Sequence, residues 1–194
     1  MDLDGRHERF RALYESTRRQ IIAYAVRRTS AYDDAADLAA ETFAVAWRRF
    51  DDMPDGEASL LWLYATARRL NANSNRRARH RVDLIERIGT ELRVALPPRV
   101  DANTEDALMA MDAFSHLGDD DRELLMLAGW EGLDSAQLGC VLGCSPTAAR
   151  IRLFRARSRL AAELAESESG TKQETRRGHR YQQGTVTTTA IEEA

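Results

Sequence analysis

One short segment of this chain, DSAQLGCVLGCSPTAARIRLFRARSRL at residues 134–160, contains several signals for the start and the end of a helix. Asp134, with a glutamine three residues later, matches a capping box and opens a short helix. Gly143 can end that helix in the left-handed conformation that other residues rarely adopt. Ser145 is a good N-cap for a second helix, and Pro146 takes its first position, where a missing N–H costs nothing. The run therefore predicts a short helix, a tight turn and a longer helix.

The longer helix has one apolar side and one basic side. Its predicted buried residues recur at helical spacing and are Ala149, Leu153, Ala156 and Leu160. The remainder carries five arginines between residues 150 and 159, with no acid among them. This is the outline of a helix-turn-helix, whose second helix enters the major groove of DNA. There an arginine can make a bidentate contact to guanine, while arginines further along hold phosphates. The residues predicted to face DNA are Thr147, Arg150, Ile151, Phe154, Arg155 and Arg157.

The positive charge of the chain is concentrated in two segments. RRLNANSNRRARHR, at residues 68–81, holds six arginines and no acid, like the run that begins at Arg150. The whole chain is nevertheless acidic, with a formal net charge of −3. Clusters this basic repel themselves unless a polyanion neutralises them. Two such clusters in an acidic chain favour a nucleic acid as partner.

Helical periodicity dominates the rest of the chain, and no alternating strand of more than four residues is visible. Residues 6–29 indicate one helix or two. DDAADLAAETFAVAWRRF, at residues 33–50, places small and aromatic residues on one core-facing side. A further helix is expected from about Ser59 to Arg79. The predicted fold class is therefore all-α.

The pattern divides the chain into two small helical domains joined by a flexible linker. Residues 6–81 form the first domain, and residues 105–166 form the second, which contains the helix-turn-helix. Between them, residues 82–104 are assigned to the linker because they include two consecutive prolines, which stop a helix. Residues 167–194 lack an apolar period and are predicted to be a disordered tail.

No cluster of residues suited to catalysis or metal binding is visible in the sequence. Cys140 and Cys144 are the only cysteines, and four scattered histidines give no zinc-ligand spacing, so we expect both cysteines to serve packing. No Gly-rich phosphate loop or nucleophile elbow occurs. The longest apolar run is far shorter than the ~20 residues that span a bilayer, and the charged N-terminus does not resemble a signal peptide. We expect a cytoplasmic protein that is not an enzyme and has no cofactor, metal, small-molecule substrate or membrane insertion.

Three segments carry a family resemblance. DAADLAAETFAVAWRRF resembles the polymerase-binding segment of sigma factors of the sigma-70 family, and WLYATARRLNANSNRR resembles the segment that follows it. DDDRELLMLAGWEGLDSAQLGCVLGCSPTAARIRLFRARSRL resembles their promoter-reading fourth region. The order of these motifs and the short chain are typical of the extracytoplasmic function (ECF, group IV) class. The resemblance implies that residues 6–81 are sigma region 2 and residues 105–166 are sigma region 4, with the tail unmatched.

The resemblance also implies where partners bind. Such factors bind core RNA polymerase, through its β′ clamp helices and β flap, and direct promoter recognition and opening. The residues expected to bind polymerase are Asp34, Asp37, Leu38 and Glu41. The next helix would capture unstacked bases of the −10 element. The residues expected there are Arg68, Arg69, Asn73, Arg76 and Arg77. The DNA-facing residues of the helix-turn-helix would read the −35 element as duplex.

Some positions depart from the family's pattern. Ala40 stands where a glutamine is usual on the polymerase-contacting face. Arg69 replaces a common asparagine and Asn73 a common aspartate, which predicts an unusual −10 sequence. Gly139 replaces a usual alanine, and this change would allow closer helix packing at about 1 kcal/mol of helix propensity.

Other interpretations of the DNA-binding function stay open. A helix-turn-helix regulator acting without polymerase would use the same basic helix, although it would normally dimerise, and no dimerisation helix is visible. An anti-sigma factor is a further partner that the family allows, covering the polymerase- and DNA-binding faces. A chain that only titrated such a factor would not need DNA-contacting arginines, and these are retained.

Overall fold

The computed structural model describes residues 3–86 and 105–182, and every regular element within these ranges is helical. The helices are α1 (Leu3–Val26), α2 (Tyr32–Arg48), a short 3₁₀ helix (Phe50–Asp52), α3 (Glu57–Glu86), α4 (Glu105–His116), α5 (Asp119–Gly129), α6 (Ser135–Leu142) and α7 (Pro146–Gln182). The all-α prediction is confirmed. In the described part of the chain, none of the helices has the length and apolarity to cross a membrane.

Helices α1, α2 and α3 form the N-terminal unit. Each turns an apolar side inward, and the residues buried there include Ile21, Phe43 and Leu63. At one end of the unit, Phe10 packs edge-on against Trp47 with ring centroids 5.0 Å apart. Residues 6–29, for which the sequence allowed one helix or two, lie almost wholly in the single helix α1.

Helices α4 to α7 form the C-terminal unit, and local signals set the ends of its central helices. The Asp134 side chain accepts two backbone N–H groups at 2.8 Å, and the Gln137 side chain accepts the Asp134 N–H at 2.9 Å. Gly143 ends α6 with a φ of 67°. At the start of α7, Ser145 Oγ accepts the Ala148 N–H at 3.2 Å. The predicted short helix, tight turn and longer helix are confirmed.

Two helices extend further than the sequence pattern indicates. Helix α3 continues to Glu86, so residues 82–86 of the expected linker are helical. Helix α7 continues to Gln182, so the prediction of disorder is wrong for residues 167–182. Both extensions are free of proline, and each continues a helix that the preceding residues have already formed, so no new nucleation is required. Residues 87–104 and 183–194 lie outside the described part, and the remaining linker and tail predictions fall there.

The two units pack against each other. One apolar cluster contains Ile21 and Tyr64 from the N-terminal unit together with Leu127 and Leu138 from the C-terminal unit. Helix α6 lies against α3 in this arrangement. The sequence predicted two helical domains, and their direct association is an additional finding.

Candidate nucleic-acid interface

The outer side of α7 combines exposed arginines with exposed apolar side chains. Ile151 and Phe154 are 45% and 71% exposed, although both are large hydrophobic residues. All six residues of α7 that the sequence assigned to duplex DNA are exposed. Within the described residues, Arg150, Arg155 and Arg157 form no ion pair, so their charge is available to a partner. By contrast, Arg159 pairs with Asp121 of α5.

The turn before α7 holds this helix close to α6. Ala149 and Ala156 are fully buried and Leu153 is buried, which fixes the outer side of α7 away from the core. A Cβ on Gly139 would lie 2.7 Å from the carbonyl oxygen of Cys144, closer than real Cβ atoms approach. The expectation that Gly139 permits closer packing is therefore confirmed at this turn.

The two cysteines differ in their surroundings. Cys144 is partly buried and packs against the apolar cluster, as expected. Cys140 is exposed, so the expectation that it serves packing is wrong. Cys140 lies on the side of α6 that faces away from the buried Leu138 and Val141.

The basic segment of α3 is only partly free. Arg68 approaches Asp120 of the C-terminal unit at 3.5 Å. The Arg69 guanidinium donates to the Ala65 carbonyl oxygen at 3.1 Å, within its own helix. Asn73 and Arg76 are exposed, as a surface for single-stranded DNA requires. The side chain of Arg77 lies outside the described part.

Helix α2 presents an acidic outer face. Asp34, Asp37 and Glu41 are exposed and form no ion pair with any described residue. Leu38 was expected on this face, but its side chain is only 7% exposed. This expectation is wrong because Leu38 shares the inward side of α2 with Ala35 and other buried residues, where it packs in the core of the N-terminal unit.

A group of charged residues between the two units was not singled out in the sequence. Arg28 donates from Nε to Glu123 at 2.6 Å and from Nη1 to Glu131 at 3.0 Å. Arg27 also donates to Glu131, at 2.8 Å, and the Tyr24 hydroxyl donates to Glu123 at 2.8 Å. These residues are about a hundred positions apart along the chain, so no local pattern could have paired them.

Two members of this group, Tyr24 and Arg28, have shifted pKa values. Burial, together with the Glu123 carboxylate, raises the pKa of the Tyr24 hydroxyl. Burial would lower the pKa of Arg28, but the carboxylates of Glu123 and Glu131 outweigh it and raise that pKa. The hydroxyl therefore stays neutral and the guanidinium charged across the physiological pH range.

Comparison with known proteins places two family models on the chain. The model described as sigma-70 region 2 matches residues 13–81, and the model described as sigma-70, region 4, matches residues 107–160. Together they account for more than half of the chain, one model on each helical unit.

Individual relatives agree with these matches. The probable RNA polymerase sigma factor RfaY of Xanthomonas campestris is 33% identical over 150 residues, which cover 75% of this chain and 37% of that protein. The ECF RNA polymerase sigma factor SigL of Mycobacterium tuberculosis is 29% identical over 159 residues, covering 80% of this chain and 89% of SigL. The chain thus spans about a third of RfaY and most of SigL.

A solved structure has a similar arrangement of helices. The sigma factor RpoE of Bartonella quintana, in complex with the anti-sigma factor NepR, superposes with a TM-score of 0.62 at 26% identity. The superposition covers 81% of this chain and 98% of that one.

Proposed function

This chain belongs to the sigma-70 family as a factor of the ECF class, and from that premise we propose that it binds core RNA polymerase and directs promoter recognition and opening. One observation carries the proposal. A single chain presents an exposed basic and apolar helix face on one unit and an exposed acidic helix face on the other. The first surface suits DNA, and the second suits a basic surface on a protein.

The outer side of α7 supports duplex recognition at the −35 element. Thr147 and Arg150 lie in the first turns of the second helix, the part that reaches base edges in a helix-turn-helix. Ile151 and Phe154 offer apolar contacts of the kind that distinguish a thymine methyl group. Arg155 and Arg157 are further along, where arginines contact phosphates.

The exposed part of α3 supports binding of the melted −10 strand. Asn73 can donate and accept hydrogen bonds on a base edge, and the nearby Arg76 can neutralise the backbone. Extracting a base from the stack costs a few kcal/mol, which such contacts offset. Arg68 and Arg69 belong to the same surface, although each has a partner within this chain.

The acidic face of α2 is the proposed contact to the β′ clamp helices, and the C-terminal unit is the proposed contact to the β flap. The acidic face consists of Asp34, Asp37 and Glu41. The side chain of Leu38 is buried in the hydrophobic core of the N-terminal unit and does not contribute to this face. Since RpoE is bound to the anti-sigma factor NepR, an anti-sigma factor is a further proposed partner. We propose that the factor does not itself catalyse a reaction. Its proposed location is the cytoplasm, where it would meet the polymerase.

A helix-turn-helix regulator that acts without polymerase is the less favoured function. Such a regulator would use α7 in the same way but has no need of the acidic face on α2. The matches to both sigma regions also disfavour it.

Run-off transcription with purified core polymerase tests the proposal. The variant Asp37→Arg/Glu41→Arg reverses two exposed charges on α2 and should weaken core binding at least ~100-fold, because like charges across an interface cost several kcal/mol. Glu8→Arg/Glu15→Arg is the matched control, since both acids are exposed on α1, a helix that carries none of the proposed contact residues. It should bind and transcribe like the wild type.

Two outcomes of the transcription and core-binding assays would contradict the proposal. A wild type that binds duplex DNA but never binds core polymerase would replace the proposal with the polymerase-independent regulator. Equal core affinity of the two double variants would remove α2 from the polymerase interface.

A further inference from the structure

The side chain of Arg69 folds back along its own helix on the exposed side of α3. Its Nε donates to the Ala65 carbonyl oxygen at 3.1 Å, and its Nη2 donates to the Thr66 hydroxyl at 3.4 Å. Thr66 is only 3% exposed, so this hydroxyl is held by the packed side of α3, whereas Arg69 itself is exposed. The two hydrogen bonds therefore hold the guanidinium in one orientation at the surface.

These bonds occupy only one edge of the guanidinium. An arginine presents two pairs of N–H donors to bidentate acceptors, one along Nε and Nη2 and the other along Nη1 and Nη2. In Arg69 the first pair is used within α3. None of the described residues forms an ion pair with Arg69, whereas the neighbouring Arg68 approaches Asp120 at 3.5 Å. Arg69 thus offers an oriented and charged pair of donors at the end of its side chain.

A pair of donors without an acceptor discriminates between bases. Guanine has two adjacent acceptors, O6 and N7, and arginine binds both in the commonest specific contact to DNA. Adenine places the N6 donor beside the N7 acceptor, a pattern that asparagine matches with its own acceptor and donor. A guanidinium has no acceptor for N6. Arginine at position 69 therefore suits guanine, whereas the asparagine that is common there in the family would suit adenine.

We propose that Arg69 is a specificity-determining residue that reads a guanine in the −10 strand. The inference rests on the proposed function, which takes the exposed part of α3 as the −10 surface. Asn73 and Arg76 follow Arg69 on the same side of α3, with Asn73 about 6 Å further along the helix axis. A strand that contacts Arg69 can therefore continue along both. Thr66 is a positioning residue, because it acts on the guanidinium and not on DNA.

Selection of single-stranded DNA by the holoenzyme tests this proposal. The full chain, bound to core polymerase, is mixed with a pool of short single strands that carry several randomised positions between thymines. Sequencing of the bound fraction gives the enrichment of each base at each aligned position. The wild type should enrich guanine over every other base by about tenfold at one position, which is the range expected for a bidentate contact.

Substitutions at position 69 separate base reading from charge. Arg69→Asn should replace the guanine preference at that position by a preference for adenine. Arg69→Lys keeps the charge but loses the planar donor pair, so total binding of the pool should stay within about twofold while the guanine preference is lost. Arg11→Asn removes the same charge from an exposed position on α1 and should leave the guanine preference unchanged.

The positioning role of Thr66 has a separate test. Thr66→Val removes the hydroxyl that accepts from Arg69 Nη2 and nearly keeps the shape of the side chain. Total binding of the pool should stay the same, while the guanine preference should fall about threefold because the guanidinium is less well oriented. Circular dichroism of each variant should show the helix content of the wild type.

Base analogues in a selected strand identify the edge that is read. 7-Deazaguanine lacks the N7 acceptor and should lose most of the guanine preference. Hypoxanthine keeps O6 and N7 and lacks only the N2 amino group, so it should bind like guanine. The opposite order of the two analogues would place the contact on another edge of the base and overturn the proposal.

Two selection results would also overturn the proposal. The first is a holoenzyme that starts transcription but shows no guanine preference, or prefers cytosine, and this result would leave the proposed function standing. The second is a guanine preference that persists in Arg69→Asn, which would assign the reading to another residue. Core binding is measured before the selection, and a chain that never binds core polymerase would overturn the proposed function together with this inference.

Discussion

Gly139→Ala tests whether the close approach of α6 and the turn determines the position of the recognition helix. The added Cβ would lie 2.7 Å from the Cys144 carbonyl oxygen and 3.3 Å from the Pro146 nitrogen. Carbon–oxygen contacts of backbone groups begin at about 3.3 Å, so the turn has to move by about 0.6 Å. Both obstacles are backbone atoms, and no side chain can rotate away to relieve the contact.

Two contributions to the stability of Gly139→Ala have opposite signs. Overpacking of this kind costs about 1–3 kcal/mol, and alanine recovers up to about 1 kcal/mol of helix propensity. Gly129→Ala, at the end of α5, is the matched control because its Cβ meets nothing within 4 Å. It should gain stability or leave it unchanged. The two variants should therefore differ by about 2 kcal/mol, or roughly 4–8 °C in melting temperature for a protein of this size.

Thermal unfolding followed by circular dichroism measures this difference. Binding of a −35 duplex provides a second readout, since movement of the turn displaces Thr147 and Arg150 at the start of α7. Affinity for the cognate duplex should fall while affinity for random duplex stays near that of the wild type. Equal melting temperatures for Gly139→Ala and Gly129→Ala would refute the reasoning, because the turn would then accept a side chain without strain.

Three further predictions concern other parts of the chain. Arg157→Ala should weaken duplex binding by a similar factor for all sequences and should flatten the salt dependence of binding. Arg150→Ala should instead reduce the preference for the cognate sequence. Equal losses of affinity for cognate and random duplex would contradict base reading by Arg150. Asp134→Ala should cost about 1 kcal/mol in urea unfolding, because it removes the capping box of α6. Burial and the Glu131 carboxylate raise the pKa of Tyr64 from 10.0 to about 12. The unfolded chain loses this proton first, so the free energy of unfolding should fall as pH rises from about 10 to 12, and Tyr64→Phe should flatten that fall.

The helix-turn-helix was predictable because its determinants are local. The capping box, the left-handed Gly143 and the Ser145 cap each act over at most five residues, so the sequence displays them directly. The buried side of α7 follows from helical spacing for the same reason. The helix-turn-helix lies within the residues that match sigma-70 region 4.

Helix ends without such signals were predicted less well. Residues 167–182 lack an apolar period, a pattern that predicts disorder. The extension of α7 to Gln182 shows that a helix already nucleated by packing can continue through residues that are merely compatible with it. A similar argument applies to α3, which ends at Glu86 and not before residue 82.

The sequence by itself determined the all-α class, the helix-turn-helix and the assignment of basic and acidic surfaces, because these depend on periodicity, caps and charge within single segments. Only the tertiary structure decided that Leu38 is buried, that Arg68 has an acidic neighbour and that Arg28 joins two units. Those outcomes depend on which helices meet. Residues 95 to 104 positions apart form the inter-unit ion pairs and hydrogen bonds, and contacts over such distances leave no periodic trace in the sequence.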